Sequence, residues 1–271
     1  MKPAMITSFN YKIPFDEVLK LIHEAEFEVV ALGAVPKHCG YLDLCERKTI
    51  RKQLAQYGFT IDSVHSPLPE GSYLFSLDED LRRTAIEHCK GGIDAAEELD
   101  GKIVVLHMLQ HYSHAHDEEW NKMLDEGRNS LAELSDYAAD ASVKLALENG
   151  QSQAYDDSLF AMLREFTESH IGFCYDVGHG HIKTGDFKVL EEFGDRLITM
   201  HMHDNDRTAD QHVLPYEGNV DWKQYAKILK DINYTGNLLF ETTQRDSKLK
   251  DPAEFLANAK KAGDQLMAWM Q

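Results

Sequence analysis

Short apolar runs alternate with longer amphipathic segments eight times along this chain. The apolar runs predict strands at 4–8, 28–33, 61–66, 103–108, 144–149, 171–177, 197–203 and 237–242. Helical periodicity follows each strand, at 15–26, 43–57, 78–99, 117–142, 156–168, 186–194, 221–232 and 252–270. Asp156, Asp186 and Asp221 are the expected N-caps of three of these helices. Such alternation predicts parallel strands that are joined by right-handed crossovers.

Eight strand–helix units in 271 residues fit a closed barrel, which typically needs about 250 residues. The alternative is an open doubly wound sheet, which often carries a glycine-rich turn after its first strand. Here the segment after the first strand is SFNYKIPF, which contains no glycine. We therefore predict an α/β fold, a single parallel eight-stranded (β/α)8 TIM barrel that forms one domain over residues 1–271.

The composition limits the possible partners. Asp and Glu outnumber Lys and Arg by 46 to 28, which gives a net charge of −18. Proteins that grip a nucleic-acid backbone usually present a basic face, so nucleic acid is an unlikely partner and a small molecule is favoured. Bound divalent cations would offset part of this acidity locally, so an anionic small ligand stays possible.

The expected location is the cytoplasm. The mean hydropathy is −0.44, and no apolar run approaches the roughly 20 residues that a membrane helix needs. The first residues, MKPAMITSFNYKIPF, lack the pattern of a signal peptide. The four cysteines are scattered without CxxC pairing, so neither a disulfide framework nor a cysteine zinc site is indicated.

From the third predicted strand onward, nearly every strand ends in a residue that can bind a metal ion. In a barrel of this kind, the active site is built from the carboxyl ends of the strands and the loops that follow. The sequence therefore predicts a metal site at that end. Its candidate ligands are His65, His107, Glu148, Asp176, His179, His201, Glu241 and, in the loop after the seventh strand, Asp210 and His212.

Several of these residues have structural alternatives. Glu148 and Glu241 could instead be salt-bridged core carboxylates, although a buried lone carboxylate is costly. His201 and His203 share one strand face, so one of them can ligate while the other binds substrate or hydrogen-bonds a ligand carboxylate. The tract of His111, His114 and His116 is better explained as a solvated loop than as a further metal site.

The strand-end residues resemble those of the xylose isomerase-like barrel superfamily, over roughly residues 60–245. This superfamily holds sugar and sugar-phosphate isomerases and epimerases together with endonuclease IV. In its keto-sugar 3-epimerases, Glu, Asp, His and Glu from strands five to eight hold one divalent cation. The resemblance implies Glu148, Asp176, His201 and Glu241 here. It favours His201 over His203 because Arg207 stands six residues after His201, as in the epimerase pattern.

Endonuclease IV, which binds three zinc ions, is similar at further positions. The resemblance implies His65, His107, His179, Asp210 and His212 as its additional ligands, with DQHVLPYEG as the loop that carries the last two. Its His-x-x-Asp motif matches His201 with Asp204. No DNA-inserting loop is evident in AVPKHCGYLD or SPLPEGSYLF, the segments after strands two and three. More than one metal ion per chain is therefore a possibility.

The leading hypothesis is an isomerase or epimerase of a small polyhydroxy carbonyl sugar, with or without phosphate, that uses Mn, Mg, Co or Zn. Glu148 and Glu241 would exchange a proton through a cis-enediolate, and His179, Arg207 and His203 would bind the substrate. A dehydratase is a close variant. The alternatives are a multinuclear zinc phosphodiesterase like endonuclease IV and a non-catalytic metal-dependent binding protein. Related epimerases also suggest a homodimer.

Overall fold

Eight parallel strands form the centre of the molecule, which we describe from a computed structural model covering residues 1–109 and 117–271. His111, His114 and His116 lie outside the described residues. The strands are β1 (Pro3–Ile6), β2 (Val29–Leu32), β3 (Thr60–His65), β4 (Ile103–Leu106), β5 (Lys144–Glu148), β6 (Ile171–Asp176), β7 (Leu197–His201) and β8 (Leu238–Phe240). Each strand from β1 to β6 pairs with the next, and β1 also pairs with β8.

The sheet curls into a nearly closed barrel because the chain just beyond β7 reaches β8. The Met202 amide donates to the Leu239 carbonyl at 2.8 Å, and the Glu241 amide donates to the Met202 carbonyl at 3.1 Å. These two bonds form a parallel bridge between Met202 and Phe240. The predicted (β/α)8 barrel is thereby confirmed.

The helices surround this barrel. They are α1 (Phe15–Glu24), α2 (Leu44–Tyr57), α3 (Glu79–Glu98), α4 (Glu118–Asp140), α5 (Gln153–Glu165), α6 (Val177–Lys183), α7 (Val189–Phe193), α8 (Trp222–Asp231) and α9 (Pro252–Met270). In the part of the chain that the structure describes, no helix is long and apolar enough to cross a membrane.

The two faces of the strands pack differently. Ala146 and Cys174 form a small cluster with Val105 on the strand face that also carries Glu148 and Asp176. The alternate residues of the same strands belong to the large core that packs beneath the helices. This small apolar cluster fills part of the barrel interior, and the candidate ligand residues lie above it at the carboxyl end.

Two of the three expected helix caps are wrong. Helix α5 begins three residues before Asp156, and its N-cap is Ser152, whose hydroxyl accepts from the Tyr155 amide. Asp186 accepts from the Lys188 amide in a turn, and α7 begins after Lys188 without a side-chain cap. Asp221 does cap α8, as expected, through the Gln224 amide.

Helix α6 was not anticipated, because the chain enters it directly at the end of β6. Asp176 is both the last residue of β6 and the N-cap of α6, and its carboxylate accepts from the His179 amide at 2.6 Å. The region 186–194 contributes only the short helix α7. The sixth unit thus starts its helix inside the site, which brings His179 to the carboxyl end of the barrel.

Candidate metal centre

The structure brings the nine predicted ligands to one end of the barrel. His65, Glu148, Asp176 and His201 are the last residues of β3, β5, β6 and β7, and His107 and Glu241 directly follow β4 and β8. The remaining ligands come from α6, which carries His179, and from the segment after β7, which carries Asp210 and His212. Parallel strands around one axis bring their carboxyl ends together, so residues far apart in sequence become neighbours.

Glu148, Asp176, His201 and Glu241 form the central group, which we call the main centre. One ligand atom from each lies within 4.8 Å of the others. His201 Nδ1 is 3.0 Å from Glu148 Oε1 and 3.3 Å from Glu241 Oε2. Glu148 and Asp176 are fully buried. Oxygen and imidazole donors at this spacing suit a divalent cation.

Asn149 orients Asp176 in this centre. Its side-chain amide donates to the Asp176 carbonyl at 2.9 Å, and its side-chain oxygen accepts from the Asp176 amide at 2.7 Å. This pair of bonds locks the end of β5 to the end of β6. Asn149 is not among the predicted site residues, although its position directly after a strand-end glutamate is a usable signal.

A second group lies on the other side of Glu148. His107 Nε2 is 2.8 Å and His65 Nε2 is 3.5 Å from Glu148 Oε2. The His65 ring is held by a bond from Nδ1 to the Ser66 carbonyl at 2.8 Å, which leaves Nε2 directed at the carboxylate. Glu148 therefore has one oxygen toward the main centre and one toward this pair of histidines.

A third group consists of His179, Asp210 and His212. The two Nδ1 atoms donate to the carbonyls of Asn149 and Glu241, each at 2.8 Å. The two Nε2 atoms then face Asp210 Oδ2, at 3.4 Å from His179 and 3.0 Å from His212. Metal-binding histidines are commonly oriented in this way by a carbonyl behind the ring.

The charges of the site also fit cations. In the described ranges, histidines are the only cationic groups within ion-pair distance of the four site carboxylates, namely Glu148, Asp176, Asp210 and Glu241. Burial opposes ionisation, but His201 then lowers the pKa of Glu241 to about 2. Burial likewise lowers the pKa of His212, yet Asp210 raises it to about 9. Within the described ranges, these carboxylates thus have no Lys or Arg counter-charge, which a bound cation would supply.

Asp204, which the endonuclease motif pairs with His201, has a different role. Its carboxylate accepts from the amides of Asn205, Tyr216 and Val220 and from the Trp222 indole, at 2.8–3.0 Å. Four donors occupy it, so it anchors the segment that carries Asp210 and His212. Trp222 is the first residue of α8 and is buried there.

A cavity of about 860 Å³ opens above the main centre. Glu148, Glu241 and His179 form part of its floor, and Tyr11 and Tyr155 form part of its wall. Its lining carries Arg245, which the sequence analysis did not select.

The three predicted substrate-binding residues lie in different places. His179 lines the cavity, whereas fully buried His203 lies behind Asp176 and does not reach the lining. Arg207 is exposed, and its guanidinium donates to the Lys183 carbonyl at 3.4 Å, outside the cavity lining. His38 and Tyr41, which follow β2, bond to the carbonyls of Ile13 and His65 and are also absent from that lining.

The chain belongs to the xylose isomerase-like TIM barrel family, whose model matches residues 19–263. It is similar to an uncharacterised protein of Sinorhizobium fredii, with 31% identity over 83% of this chain and 79% of the relative. A fructoselysine 3-epimerase of Shigella flexneri is 22% identical over 87% of this chain and 88% of its own. An inosose dehydratase of Clostridium botulinum is 25% identical, over 52% of this chain and 53% of its own.

Solved structures share the fold. A D-tagatose 3-epimerase-like protein superimposes with a TM-score of 0.82 and 22% identity, over 99% of this chain and 97% of its own. An IolI protein with a bound zinc atom gives a TM-score of 0.81 and 18% identity, over 99% and 98% of the two chains. The named relatives and structural neighbours are thus mainly enzymes that act on sugars.

Proposed function

We propose that this protein is a divalent-metal-dependent epimerase or isomerase of a small carbonyl sugar. One observation carries the proposal: two glutamates, the fully buried Glu148 and the partly buried Glu241, flank the same imidazole, His201, and both line the cavity. They come from β5 and β8, which lie apart in the barrel order. A sugar carbon above the centre could thus be approached by a carboxylate from either side.

Glu148, Asp176, His201 and Glu241 would hold the cation, which when bound acts as a Lewis acid on the carbonyl of the sugar. One glutamate then takes the proton from the carbon next to the carbonyl, which leaves an enediolate. The other glutamate returns a proton to the opposite face and yields the epimer. Return of the proton to the neighbouring carbon instead yields the aldose–ketose isomer.

In this mechanism, His179 stabilises the negative charge that develops on the sugar oxygen. It lines the cavity beside both glutamates, and its ring is fixed by the Asn149 carbonyl at 2.8 Å. When its Nε2 also carries a proton, this fixed imidazole can donate to the developing oxyanion and stabilise it without having to reorganise. Arg207 stays a sequence prediction for substrate binding, and Arg245 is the cation that lines the cavity in the structure.

The test is proton exchange with the solvent. The Mn²⁺-loaded protein is incubated in deuterated water with a panel of ketoses, aldoses and inososes, with and without phosphate. Loss of one C–H signal in the proton NMR spectrum identifies both the substrate and the carbon. Failure to exchange any C–H proton over the whole panel, with a cation bound, would contradict the proposal.

A metal-dependent phosphodiesterase is the second candidate, because two further groups of ligands surround the main centre. An epimerase of the kind proposed needs only one cation, whereas His65 with His107 and His179 with His212 provide for more. Clustered cations stabilise the attacking and leaving oxygens of a phosphodiester. Cleavage of a duplex with an abasic site, retained through extensive purification and lost with Glu148→Gln, would favour this candidate.

A further inference from the structure

We propose that His203 is a positioning residue, whose Nε2–H holds the Asp176 carboxylate in the orientation that the cation of the main centre requires. The inference rests on the proposed function, because Asp176 is one of the expected ligands there. It replaces substrate binding, which the sequence suggested for His203. It also excludes His203 from the third group of ligands, although its Nε2 lies only 3.6 Å from Asp210 Oδ1.

The contact between His203 and Asp176 is close and buried. Both side chains are fully buried, and His203 Nε2 lies 3.1 Å from each carboxylate oxygen of Asp176. On its other side, the same carboxylate accepts from the His179 amide at 2.6 Å. Two donors therefore hold the carboxylate, which leaves its remaining lone pairs for a cation beside His201. Bonds to a ligand carboxylate from outside the metal's own shell typically sharpen metal affinity.

The hydrogen bonds of the His203 ring indicate a donor, not a ligand. Its Nδ1 is buried and has no hydrogen-bond partner among residues 1–109 and 117–271. Nε2, by contrast, faces the Asp176 carboxylate, so the proton is best placed on Nε2. His65, His179 and His212 show the opposite pattern, because each donates from Nδ1 to a carbonyl and leaves Nε2 free to bind a metal.

Ring stacking provides independent support. The rings of His203 and His212 stack with centroids 3.8 Å apart and planes only 12° from parallel. An imidazole lone pair lies in the plane of its ring, so a bound cation lies in that plane too. One cation cannot lie in two separate, nearly parallel planes. His203 and His212 therefore do not share a metal, whatever the proximity of their nitrogens.

Gly178 makes room for this arrangement. A Cβ at position 178 would lie 1.9 Å from Cε1 of the His203 ring, a distance that no packing adjustment of a buried ring could relieve cheaply. The absence of a side chain lets α6 start against the ring, so that Asp176 and His203 meet. Asn205 closes the same region, because its side-chain amide donates to the Gly178 carbonyl at 3.0 Å.

The experiment compares Mn²⁺ affinities by calorimetry and electron paramagnetic resonance in the full chain with Asp210→Asn, which weakens the third group and isolates the main centre. His203→Phe keeps the ring and the stack but loses the N–H, and we expect Mn²⁺ binding about 10–100-fold weaker. His203→Gln places an amide N–H near the Nε2 position and should restore most of the affinity. His203→Asn, whose amide is too short to reach Asp176, should not.

The matched control is His181→Phe, which removes a buried imidazole that contacts Asn219 and not a ligand. It should bind Mn²⁺ as tightly as the parent. The Gln and Asn pair carries the test if the Phe variant fails to fold, since both are polar and of similar size.

Two outcomes would overturn the inference. One is equal Mn²⁺ affinity in His203→Gln, His203→Asn and the parent. The other would be seen in His203→Phe with Asp210 intact. If this variant binds Mn²⁺ normally at the main centre but loses a second bound ion, His203 is a ligand of that second ion. Asp176→Asn separates a failure of this inference from a failure of the proposed function. If that variant binds Mn²⁺ unchanged, Asp176 is not a ligand and the main centre is not the metal site.

Discussion

Two buried carboxylates in the same barrel have opposite surroundings. Asp62, in the lower half of β3, accepts from the Thr199 hydroxyl at 2.9 Å and from the Asn237 amide at 3.0 Å, both of which are neutral. Glu148, at the carboxyl end of β5, has ring nitrogens of four histidines within 4 Å among the described residues. Burial is common to both, so burial alone does not mark a functional carboxylate.

The pKa values of the two carboxyls move apart for this reason. Burial raises the pKa of Asp62, and the bonds from Asn237 and Thr199 offset only part of the rise. Burial also opposes ionisation of Glu148, but His201 and His107 hold its pKa well below the usual value. A carboxylate held by neutral donors, such as Asp62, thus has a structural role. Histidines around Glu148 instead favour its anionic form, and they can lose a proton when a cation binds.

The largest expected effect is on the rate of proton exchange, when either glutamate at the carboxyl end of the barrel is replaced. Glu148→Gln or Glu241→Gln removes an acid–base group, so we expect at least about 100-fold slower proton exchange with substrate. The measurement is the decay of the C–H signal in deuterated water. Asp62→Asn is the matched control, because it neutralises a buried carboxylate elsewhere in the barrel and should exchange at the parent rate. An equal loss of exchange rate in all three variants would contradict the distinction between the functional glutamates and the structural Asp62.

The second-largest expected effect is the loss of thermal stability when the metal ion at the carboxyl end of the barrel is removed. A cation held at about 100 times its Kd stabilises the fold by about 2.7 kcal/mol. In a chain of this size each kcal/mol is worth roughly 2–4 °C, so chelation should lower the melting temperature by about 5–10 °C. Differential scanning calorimetry with chelator and then with added Mn²⁺ measures the shift. Asp176→Asn should show little of it, and a full shift in that variant would locate the cation elsewhere.

Asp204 tests whether a carboxylate near the site can be purely structural. Asp204→Asn leaves backbone and indole donors without an acceptor, so we expect a loss of about 3 kcal/mol in the free energy of unfolding. Urea denaturation measures it. Asp206→Asn, on the exposed part of the same segment, is the control and should unfold at the same urea concentration as the parent. Equal stability of the two variants would contradict the anchoring role.

The smallest effect concerns Asp62 and depends on pH. Because its pKa is raised in the fold, its stabilising contribution is present below the ordinary aspartate pKa and is lost as the pH rises through the raised value. Asp62→Asn does not titrate, so the melting temperature of the variant should gain on that of the parent as the pH rises above the ordinary aspartate pKa. Scanning fluorimetry of the metal-free proteins measures this, and a pH-independent difference would refute it.

The strand positions, and the location of the candidate ligands at the strand ends, were predictable because both depend on local patterns. Two helix starts were not, because a cap depends on which backbone amides lie within reach of a carboxylate. Asp156 instead accepts from the Gly150 amide and pairs with Lys183, which draws it into the packing between α5 and α6. Asn149 and Asp204 were missed since their partners are set by neighbouring strands and loops.

The sequence by itself determined the barrel and the set of candidate ligand residues, because alternation places each strand-end side chain on a known face. Only the tertiary structure decided what each ring does. His201 directs Nδ1 at two glutamates, whereas His203 directs Nε2 at Asp176, although the two share one strand face. Ring orientation depends on acceptors and stacking partners that lie on other strands, and no local pattern encodes their distance.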